Sequence, residues 1–415
     1  MVEIISFSAR TGLAANPSRA RIESTGPPGE KSITCAEPAG GRITGAMAAA
    51  GLGAGEPALL RAYPGLRARL PRRAALSGPT PVEPLALPGF DAGALFVKRD
   101  ERSCPLYGGN KPRKLEWILG EALARGSRRV VTTGGLGTNH GLATAILARD
   151  AGLATTLVLV RQPLTPAVQR TLLLHAAWGA TLVWGGNLPG AILQTLRVLA
   201  ASAARGERPT LVATGGSSQR GAIGFVSAAL ELAEQVRAGV LPAPRRIYVP
   251  VGTGGTLVGL VAGLRLAELP SQVVGVLVTD LLPPGPARLA ARARALLRLL
   301  HRLDASVPVP EIRRGDLELV REQLGPGYGT PTPAARRAVE IAGEVGLALE
   351  TTYTGKCLAA LLARAGEASA QAPDLFWNTY NAVDVAASAP GPLDPARLPA
   401  PLRRIFASEA ASSSI

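Results

Sequence analysis

The sequence predicts an α/β protein built from two doubly wound parallel-sheet domains. Strand-like and helix-like segments alternate in regular order along much of the chain, which is typical of parallel sheets covered by helices on both faces. The composition agrees with this prediction. Apolar residues make up 47% of the 415 residues while aromatic residues make up only 4%, and such small aliphatic side chains suit helices packed on a parallel sheet.

Two sets of alternating segments account for the two sheets. After a short strand at 95–99, the first set has predicted strands at 129–132, 155–160, 181–184 and 210–213, with helices at 139–151, 165–178 and 190–204 between them. The second set has helices at 221–238, 255–267 and 286–302 around strands at 246–251 and 273–279. Two such sets predict two domains.

The ends of the chain are predicted to carry little structure. Residues 1–46 are rich in Gly, Ser, Pro and Thr and show no apolar periodicity, so we expect a disordered N-terminal extension. Met1 and Met47 are the only methionines. We therefore hypothesise that Met47 is the working start, with Met1 as the alternative. The Pro- and Ala-rich segment 391–415 is predicted to be a loose tail.

Charge and cysteine content limit the possible classes of function. The formal net charge is +15, but the arginines are scattered, and in the predicted helix 286–302 they follow the spacing of a solvated face. Without interleaved aromatic residues, this pattern argues against a nucleic-acid partner. Three cysteines without a CxxC pair argue against a disulfide framework or a metal site. With no apolar run long enough to span a bilayer, the prediction is a cytoplasmic protein with no membrane partner.

A loop at 108–116 contains two of the chain's five lysines. Gly108 and Gly109 permit positive φ or a close approach of the backbone to a ligand. Pro112 suits the first turn of a following helix and places Lys111 at the helix entrance. A cation there opposes the helix dipole, which favours a neutral amine or an imine. The alternative for Lys111 is an exposed surface lysine beside a turn.

Two other glycine-rich segments follow strands and open helices. The segment Gly252–Thr256 forms a nest of backbone N–H groups of the kind that binds phosphate, although a plain tight connection has the same composition. At the end of the strand 129–132, Thr138 and Asn139 open a helix where a carboxylate or phenolate can bind. There the alternatives are an ordinary N-cap and, for His140, a position on the helix surface.

Aromatic and polar residues form two further candidate positions. Tyr328 and Tyr353 lie in loops flanked by glycine, where a phenol can act as an acid or base, or can be buried in a turn. The segment 376–381 is an apolar strand end followed by Asn, Thr and Tyr. This order places hydroxyl and amide groups at the carboxyl edge of a sheet, where α/β sites form.

Together these segments resemble one family. GGNKPRKLEW, TNH, VGTGGTLVGL, PGYGTPT and TYTGK occur in this order, as in the 1-aminocyclopropane-1-carboxylate deaminases and D-cysteine desulfhydrases. These are pyridoxal phosphate enzymes of fold type II, the tryptophan synthase β type. The resemblance covers about residues 58–384. It implies a homodimer with a small domain at 115–222, inserted into a large domain at 56–114 and 223–390.

The resemblance also implies roles for individual residues. Lys111 would bind the cofactor aldehyde covalently, with Asn139 against the cofactor ring. Thr138 would lie near the substrate carboxylate, and Tyr328 and Tyr353 would face the substrate. The residues implied to hold the phosphate are Gly252, Thr253, Gly254, Gly255 and Thr256. For the pyridine nitrogen, Thr354 and Thr379 are the alternatives. Lys114 is left with a structural or surface role.

The identity of these residues favours β-elimination from a small amino acid. Thr354 stands where the deaminases have a glutamate. A hydroxyl partner for the pyridine nitrogen suits loss of a β-thiolate better than ring opening. D-cysteine, giving pyruvate, ammonia and sulfide, is therefore the predicted substrate. Thr138 in place of Ser and Asn378–Asn381 in place of His-Thr-Gly-Gly depart from the family. These departures keep ring opening, β-replacement and a cofactor-binding protein without turnover as alternatives.

Overall fold

The computed structural model describes residues 55–280 and 285–412. The predicted extension 1–46 and the hypothesis about Met47 lie outside these ranges.

In chain order, the described strands are β1 (Val82–Pro84), β2 (Leu95–Lys98), β3 (Arg129–Gly135), β4 (Ala154–Val160), β5 (Thr181–Gly186), β6 (Thr210–Val212), β7 (Arg246–Val251), β8 (Gln272–Leu277), β9 (Leu317–Val320) and β10 (Asp374–Trp377). The described α-helices are α1 (Ala58–Ala62), α2 (Asn110–Ala124), α3 (Asn139–Asp150), α4 (Pro166–Ala177), α5 (Leu188–Ala204), α6 (Gln219–Arg237), α7 (Gly255–Leu266), α8 (Pro286–Leu303), α9 (Pro333–Glu344), α10 (Thr354–Leu362) and α11 (Ala400–Ser412).

The strands form two sheets, as predicted. The larger has the order β1-β2-β10-β7-β8-β9 and is parallel apart from the antiparallel edge strand β1. The smaller is entirely parallel, with the order β5-β4-β3-β6. Helices connect the parallel strands, because a parallel pair requires a crossover connection. The α/β prediction is confirmed.

The centre of the larger sheet is apolar on both faces, as expected for a strand between two layers of helices. All residues of β7 and β10 are buried. On one face, α7 packs closely against α6 because two of its residues have no side chain. A Cβ atom at Gly259 would lie 2.5 Å from the Phe225 Cβ, and one at Gly263 would lie 2.6 Å from the Ala229 Cβ. This close packing holds the start of α7 firmly at the sheet edge.

All strands of the smaller sheet lie between residues 129 and 212, inside the segment predicted as the small domain. The helix α2 leads from the larger sheet into this segment, and α6 leads back from it. The boundaries 56–114, 115–222 and 223–390 remain predictions, since the sheets alone do not define the exact residue at which one domain ends.

The segment 391–415 differs from the predicted loose tail. It contains a short 3₁₀ turn at Pro395–Arg397 and the helix α11. Leu398 and Leu402 are buried in a cluster with side chains of the small sheet and α4, including Leu159 and Leu172. These two leucines, one just before α11 and one in its first turn, cover an apolar surface, and the Pro- and Ala-rich composition of the segment concealed them.

The candidate site lies where several parallel strands end. The loop of Thr138 follows β3, the Gly252–Thr256 loop follows β7, and the segment 378–381 follows β10. Parallel strands end at one edge of a sheet, and ligands of α/β proteins bind at that edge. Among the described residues, no helix combines the length and apolarity required to cross a bilayer.

Candidate active site

Lys111 lies in the first turn of α2, and its side chain is half-buried. Its Nζ donates a hydrogen bond to the Asn110 Oδ1 at 2.7 Å. Burial lowers the pKa of Lys111 from 10.5 to about 8, although the Glu350 carboxylate acts in the opposite direction. The amine can therefore lose its proton near neutral pH, which is the state required of a nucleophile.

The glycine pair before Lys111 is required by its neighbours. A Cβ atom at Gly108 would overlap the carbonyl oxygen of Glu101, and one at Gly109 would lie 2.6 Å from the carbonyl oxygen of Tyr380. Gly109 also has a φ of 80°. The Gly108 N–H donates to the Asn381 Oδ1 at 2.6 Å. The loop before α2 and the segment after β10 therefore form one wall of the site.

Asn110 connects Lys111 to the predicted phosphate loop. Its Nδ2 donates to the Thr256 Oγ1 at 3.3 Å, while its Oδ1 accepts from Lys111. Thr256 lies in the first turn of α7, directly after the left-handed Gly254 at φ 82°. The first N–H groups of a helix have no partner within the helix and attract anions. The structure thus brings the predicted lysine and the predicted loop together.

Lys114 is buried and does not lie on the surface, so the surface alternative of its predicted structural or surface role is wrong. Its Nζ donates to the Gly215 carbonyl oxygen at 3.2 Å, and none of the described carboxylates forms an ion pair with it. Burial lowers the pKa of Lys114 well below 10.5, and the positive charges of Lys111 and Arg292 lower it further. Three basic side chains thus interact here, and none of the described carboxylates pairs with Lys114.

These residues fit pyridoxal phosphate. The Lys111 amine can react with its aldehyde. Its phosphate dianion can be bound by the basic side chains, by the hydroxyls of Thr253 and Thr256 and by the start of α7. There is also room beside the loop. A Cβ atom at Gly252 would meet only the Tyr353 Cε1, at 3.9 Å.

On the small-sheet side, Thr138 and Asn139 open α3. The Thr138 Oγ1 accepts from the Gly141 N–H at 3.2 Å, so the hydroxyl is an N-cap and retains its own proton for donation. The Asn139 side chain is exposed, and the backbone carbonyl oxygen of Asn139 accepts from the Tyr107 hydroxyl at 3.1 Å. His140 is buried against Thr132, so its predicted alternative of a helix-surface position is wrong.

Tyr328 and Tyr353 form a pair. Their hydroxyl oxygens lie 2.5 Å apart and their rings meet edge to face. Burial raises the pKa of both phenols, and the neighbouring Tyr328 and the Glu350 carboxylate raise that of Tyr353 further. Both hydroxyls are therefore protonated at neutral pH and share one hydrogen bond, which leaves a second proton available for donation to a ligand.

The sequence interpretation missed Glu350, which organises the start of α10. Its carboxylate accepts from the N–H groups of Thr352, Tyr353 and Thr354 at 2.7 to 2.9 Å. The Thr354 hydroxyl also contacts this carboxylate, at 3.2 Å. An acidic residue just before a helix is a recognisable signal, because it complements the helix dipole. Thr379, by contrast, makes no side-chain hydrogen bond to the described residues.

Tyr107 is a tyrosine that the sequence interpretation did not assign, and Tyr380 belongs to the segment after β10 that departs from the family pattern. Burial raises the pKa of Tyr380, with Glu350 contributing, and burial also raises the pKa of Tyr107, with Tyr380 contributing. Asn381 is committed to the backbone N–H groups of Gly108 and Val383. Of the two side chains that replace the family's glycines, Tyr380 is therefore the one left to meet a ligand.

Comparisons with known proteins agree with this geometry. The family model described as "Pyridoxal-phosphate dependent enzyme" matches residues 74–379. A nocardicin C-9' epimerase of Nocardia uniformis subsp. tsuyamanensis is 34% identical over 75% of this chain and 92% of its own length. A D-cysteine desulfhydrase of Klebsiella pneumoniae (strain 342) is 30% identical over 71% of this chain and 88% of its own.

Solved structures show the same fold. An "ACC deaminase homologue" superposes with a TM-score of 0.64 and 29% identity over 79% of this chain and 95% of its own. An O-acetyl serine sulfhydrylase of Entamoeba histolytica shares the fold alone. It is 17% identical, with a TM-score of 0.50, over 72% of this chain and 85% of its own. The predicted family, fold type and cofactor are confirmed. The chain belongs to the family of pyridoxal-phosphate dependent enzymes, with two parallel-sheet domains of fold type II and pyridoxal phosphate as its cofactor.

Proposed function

We propose that this enzyme catalyses an α,β-elimination on a small β-substituted amino acid, with D-cysteine as the first candidate substrate. The Cα–H and Cβ–S bonds break, and the thiolate leaves with the electron pair of the latter. Hydrolysis with one water then gives pyruvate and ammonia beside the sulfide. Relatives named D-cysteine desulfhydrase, at 30% to 32% identity, support this choice of substrate.

The observation that carries the proposal is the engagement of Thr354. Its hydroxyl contacts the Glu350 carboxylate, which itself binds three backbone N–H groups. This leaves the Thr379 hydroxyl as the partner we assign to the pyridine nitrogen. A hydroxyl partner keeps that nitrogen neutral. A neutral nitrogen is sufficient for removal of the α-proton when a β-thiolate can depart. Opening a cyclopropane ring has no such leaving group, so the deaminase alternative is less favoured.

The residues of the chain divide the remaining tasks. Pyridoxal phosphate, when bound, supplies the electron sink for the pair left by the α-proton. Lys111 would hold the cofactor through its aldehyde, and the Lys111 Nζ, when free, would accept the α-proton of the substrate. We assign contact with the cofactor ring to Asn139. The residues assigned to the phosphate are Lys114, Gly252, Thr253, Gly254, Gly255 and Thr256.

Three hydroxyl groups are assigned to the substrate. Thr138 donates to its carboxylate from the N-terminus of α3, where the helix dipole also favours an anion. Tyr328 and Tyr353 face the β-substituent, since their shared hydrogen bond leaves one proton free to stabilise or protonate the departing thiolate. The neutral state of both phenols makes them donors at the pH where Lys111 is a base.

Absorbance spectra of the purified enzyme test the first step. We expect a visible band from cofactor bound to Lys111 and its absence in Lys111→Ala. Assays for keto acid and sulfide on both enantiomers of cysteine should then show equal amounts of the two products from D-cysteine. Keto acid formed from 1-aminocyclopropane-1-carboxylate, without activity on cysteine, would contradict the elimination. Incorporation of an added nucleophile in place of keto-acid release would indicate β-replacement.

Epimerisation is the second candidate. The observation in its favour is the 34% identity to the nocardicin C-9' epimerase, which exceeds the 30% to 32% identity to the D-cysteine desulfhydrases. The bulky Tyr380 is also compatible with a substrate other than cysteine. In deuterated water, an epimerase would place deuterium on the α-carbon of both enantiomers without forming keto acid, whereas an eliminase would release the keto acid.

A further inference from the structure

We propose that Arg292 is a positioning residue that joins two backbone segments around the cofactor phosphate. One is the phosphate loop, Gly252–Thr256. The other, which we name the crossing segment, is Thr214–Ser218, where the chain returns from β6 of the small sheet to α6. The inference rests on the proposed phosphate loop and adds to it a second backbone segment and the side chain that holds both.

Arg292 lies on α8 and contacts both segments through its guanidinium. One Nη donates to the Thr253 carbonyl oxygen at 2.9 Å, and the other donates to the Ser217 carbonyl oxygen at 3.1 Å. The sequence predicted a solvated face for the arginines of this helix. Arg288 and Arg298 are indeed exposed, whereas Arg292 is half-buried. A planar fork with two donors suits this bridging position better than a lysine would.

The two segments are packed too closely for independent movement. The Ser217 and Thr253 hydroxyls form a hydrogen bond with each other. A Cβ atom at Gly215 would lie 2.8 Å from the Thr253 Oγ1, and one at Gly255 would lie 2.6 Å from the Ser217 Oγ. Glycine at both positions therefore allows the crossing segment and the phosphate loop to meet.

The consequence follows from peptide geometry. In a planar trans peptide, the carbonyl and the following N–H point in opposite directions. By fixing the carbonyl groups of Thr253 and Ser217, Arg292 also fixes the N–H groups of Gly254 and Ser218 on the side away from its guanidinium. These two residues are the N-caps of α7 and α6. Arg292 thereby aims two helix N-termini at one anion, and its own positive charge favours that anion.

The test compares pyridoxal phosphate with pyridoxal, which has the same aldehyde but no phosphate. Both are titrated into cofactor-free protein, and the ratio of their dissociation constants measures the contribution of the phosphate. Because hydrogen bonds that involve a charged group contribute strongly, Arg292→Met should weaken pyridoxal phosphate binding about 10- to 100-fold and leave pyridoxal binding unchanged. Arg298→Met, on the same helix but exposed, should leave both dissociation constants unchanged.

Two further variants separate the explanations. Arg292→Lys keeps the charge but loses the fork, so it should lose most of the phosphate preference; a wild-type ratio in this variant would overturn the bridging role. Thr256→Val tests the phosphate loop itself. If Thr256→Val lowers the ratio and Arg292→Met does not, the Arg292 inference alone fails. If neither variant changes it, the proposed phosphate loop fails as well.

Hydrogen exchange of the cofactor-free protein provides a measurement that does not depend on binding. Arg292→Met should accelerate amide exchange in both the crossing segment and the phosphate loop, while Arg298→Met should not. Unchanged exchange in both segments would contradict the inference.

Discussion

Lys111 owes its proposed reactivity to burial. Its pKa is lowered to about 8, so the amine is protonated below that pH and neutral above it. Only the neutral amine attacks an aldehyde. We therefore predict that the rate at which cofactor-free protein takes up pyridoxal phosphate rises with pH, with a midpoint near 8, when followed by visible absorbance. A midpoint near the ordinary value of 10.5 would contradict this account.

Lys356 is also buried, and its side chain holds the loop that carries Tyr328. Its Nζ donates to the carbonyl oxygens of Leu324 and Gly327 at 2.7 and 3.3 Å. Because these bonds hold the loop that carries the tyrosine, Lys356→Met should lower kcat/KM by about tenfold or more. Cofactor affinity should be unchanged, since the hydrogen bonds of the Lys356 Nζ go to the loop of Tyr328 and not to the proposed phosphate loop. Tyr328→Phe, which removes only the hydroxyl, is the matched comparison, and a wild-type kcat/KM in Lys356→Met would refute the role.

At the scale of elements, the start of α2 is fixed by buried charges beneath it. Arg113 donates to both carboxylate oxygens of Asp100 at 2.8 and 2.9 Å and to Glu231 at 2.9 Å. Removing one partner from such a cluster leaves uncompensated charge in the interior. Arg113→Met should therefore lower the free energy of unfolding by about 3–5 kcal/mol in urea titrations. Arg125→Met, exposed just beyond the end of α2, should have almost no effect. Equal stability of the two variants would show that the cluster is dispensable.

The helix α11 covers the small sheet close to the site. Leu402 is fully buried and belongs to the same cluster as Leu136, which lies two residues before Thr138. Leu402→Ala should lower the free energy of unfolding by about 2–5 kcal/mol, as expected for a buried leucine. Leu393→Ala, at an exposed position of the same segment, serves as the control in thermal melts. If Leu402→Ala has no larger effect than this control, the segment does not stabilise the domain.

Elements with strong periodicity could be predicted from the sequence, and short or composite ones could not. The helices and strands between residues 129 and 267 were predicted within a few residues of their observed ends. The three-residue strand β1 and the four-residue strand β9 are too short for a period to be read. The helix α11 is hidden by its Pro- and Ala-rich surroundings, because only contacts show that its Leu402 and the preceding Leu398 are buried.

The same division holds for the site. Lys111 and the phosphate loop could be predicted because glycine, proline and a following helix leave a local pattern around each. Glu350, Tyr107 and Arg292 could not be linked to the site in this way, since they reach it from distant parts of the chain. The burial of Lys114 and His140 likewise depends on tertiary packing, which a local pattern does not contain.

Across the whole molecule, the net charge of +15 is spread over many arginines, several of which are paired internally. Arg246 binds Asp374, and Arg364 binds Glu318. We therefore predict no electrophoretic mobility shift of duplex DNA at about 150 mM salt, where scattered charges are screened beyond roughly 8 Å. A salt-resistant shift would contradict this. The homodimer and the domain boundaries stay predictions, which sedimentation and limited proteolysis would test.

The two points where the chain enters and leaves the predicted small domain are neighbours. Lys114 lies at the entrance and Gly215 near the exit, and the Nζ of one is 3.2 Å from the carbonyl oxygen of the other. A segment whose two ends meet can be replaced without opening the surrounding core. The stretch between them is therefore a natural unit for exchange between relatives, and chimaeras joined at these points would show which half of the enzyme carries its substrate preference.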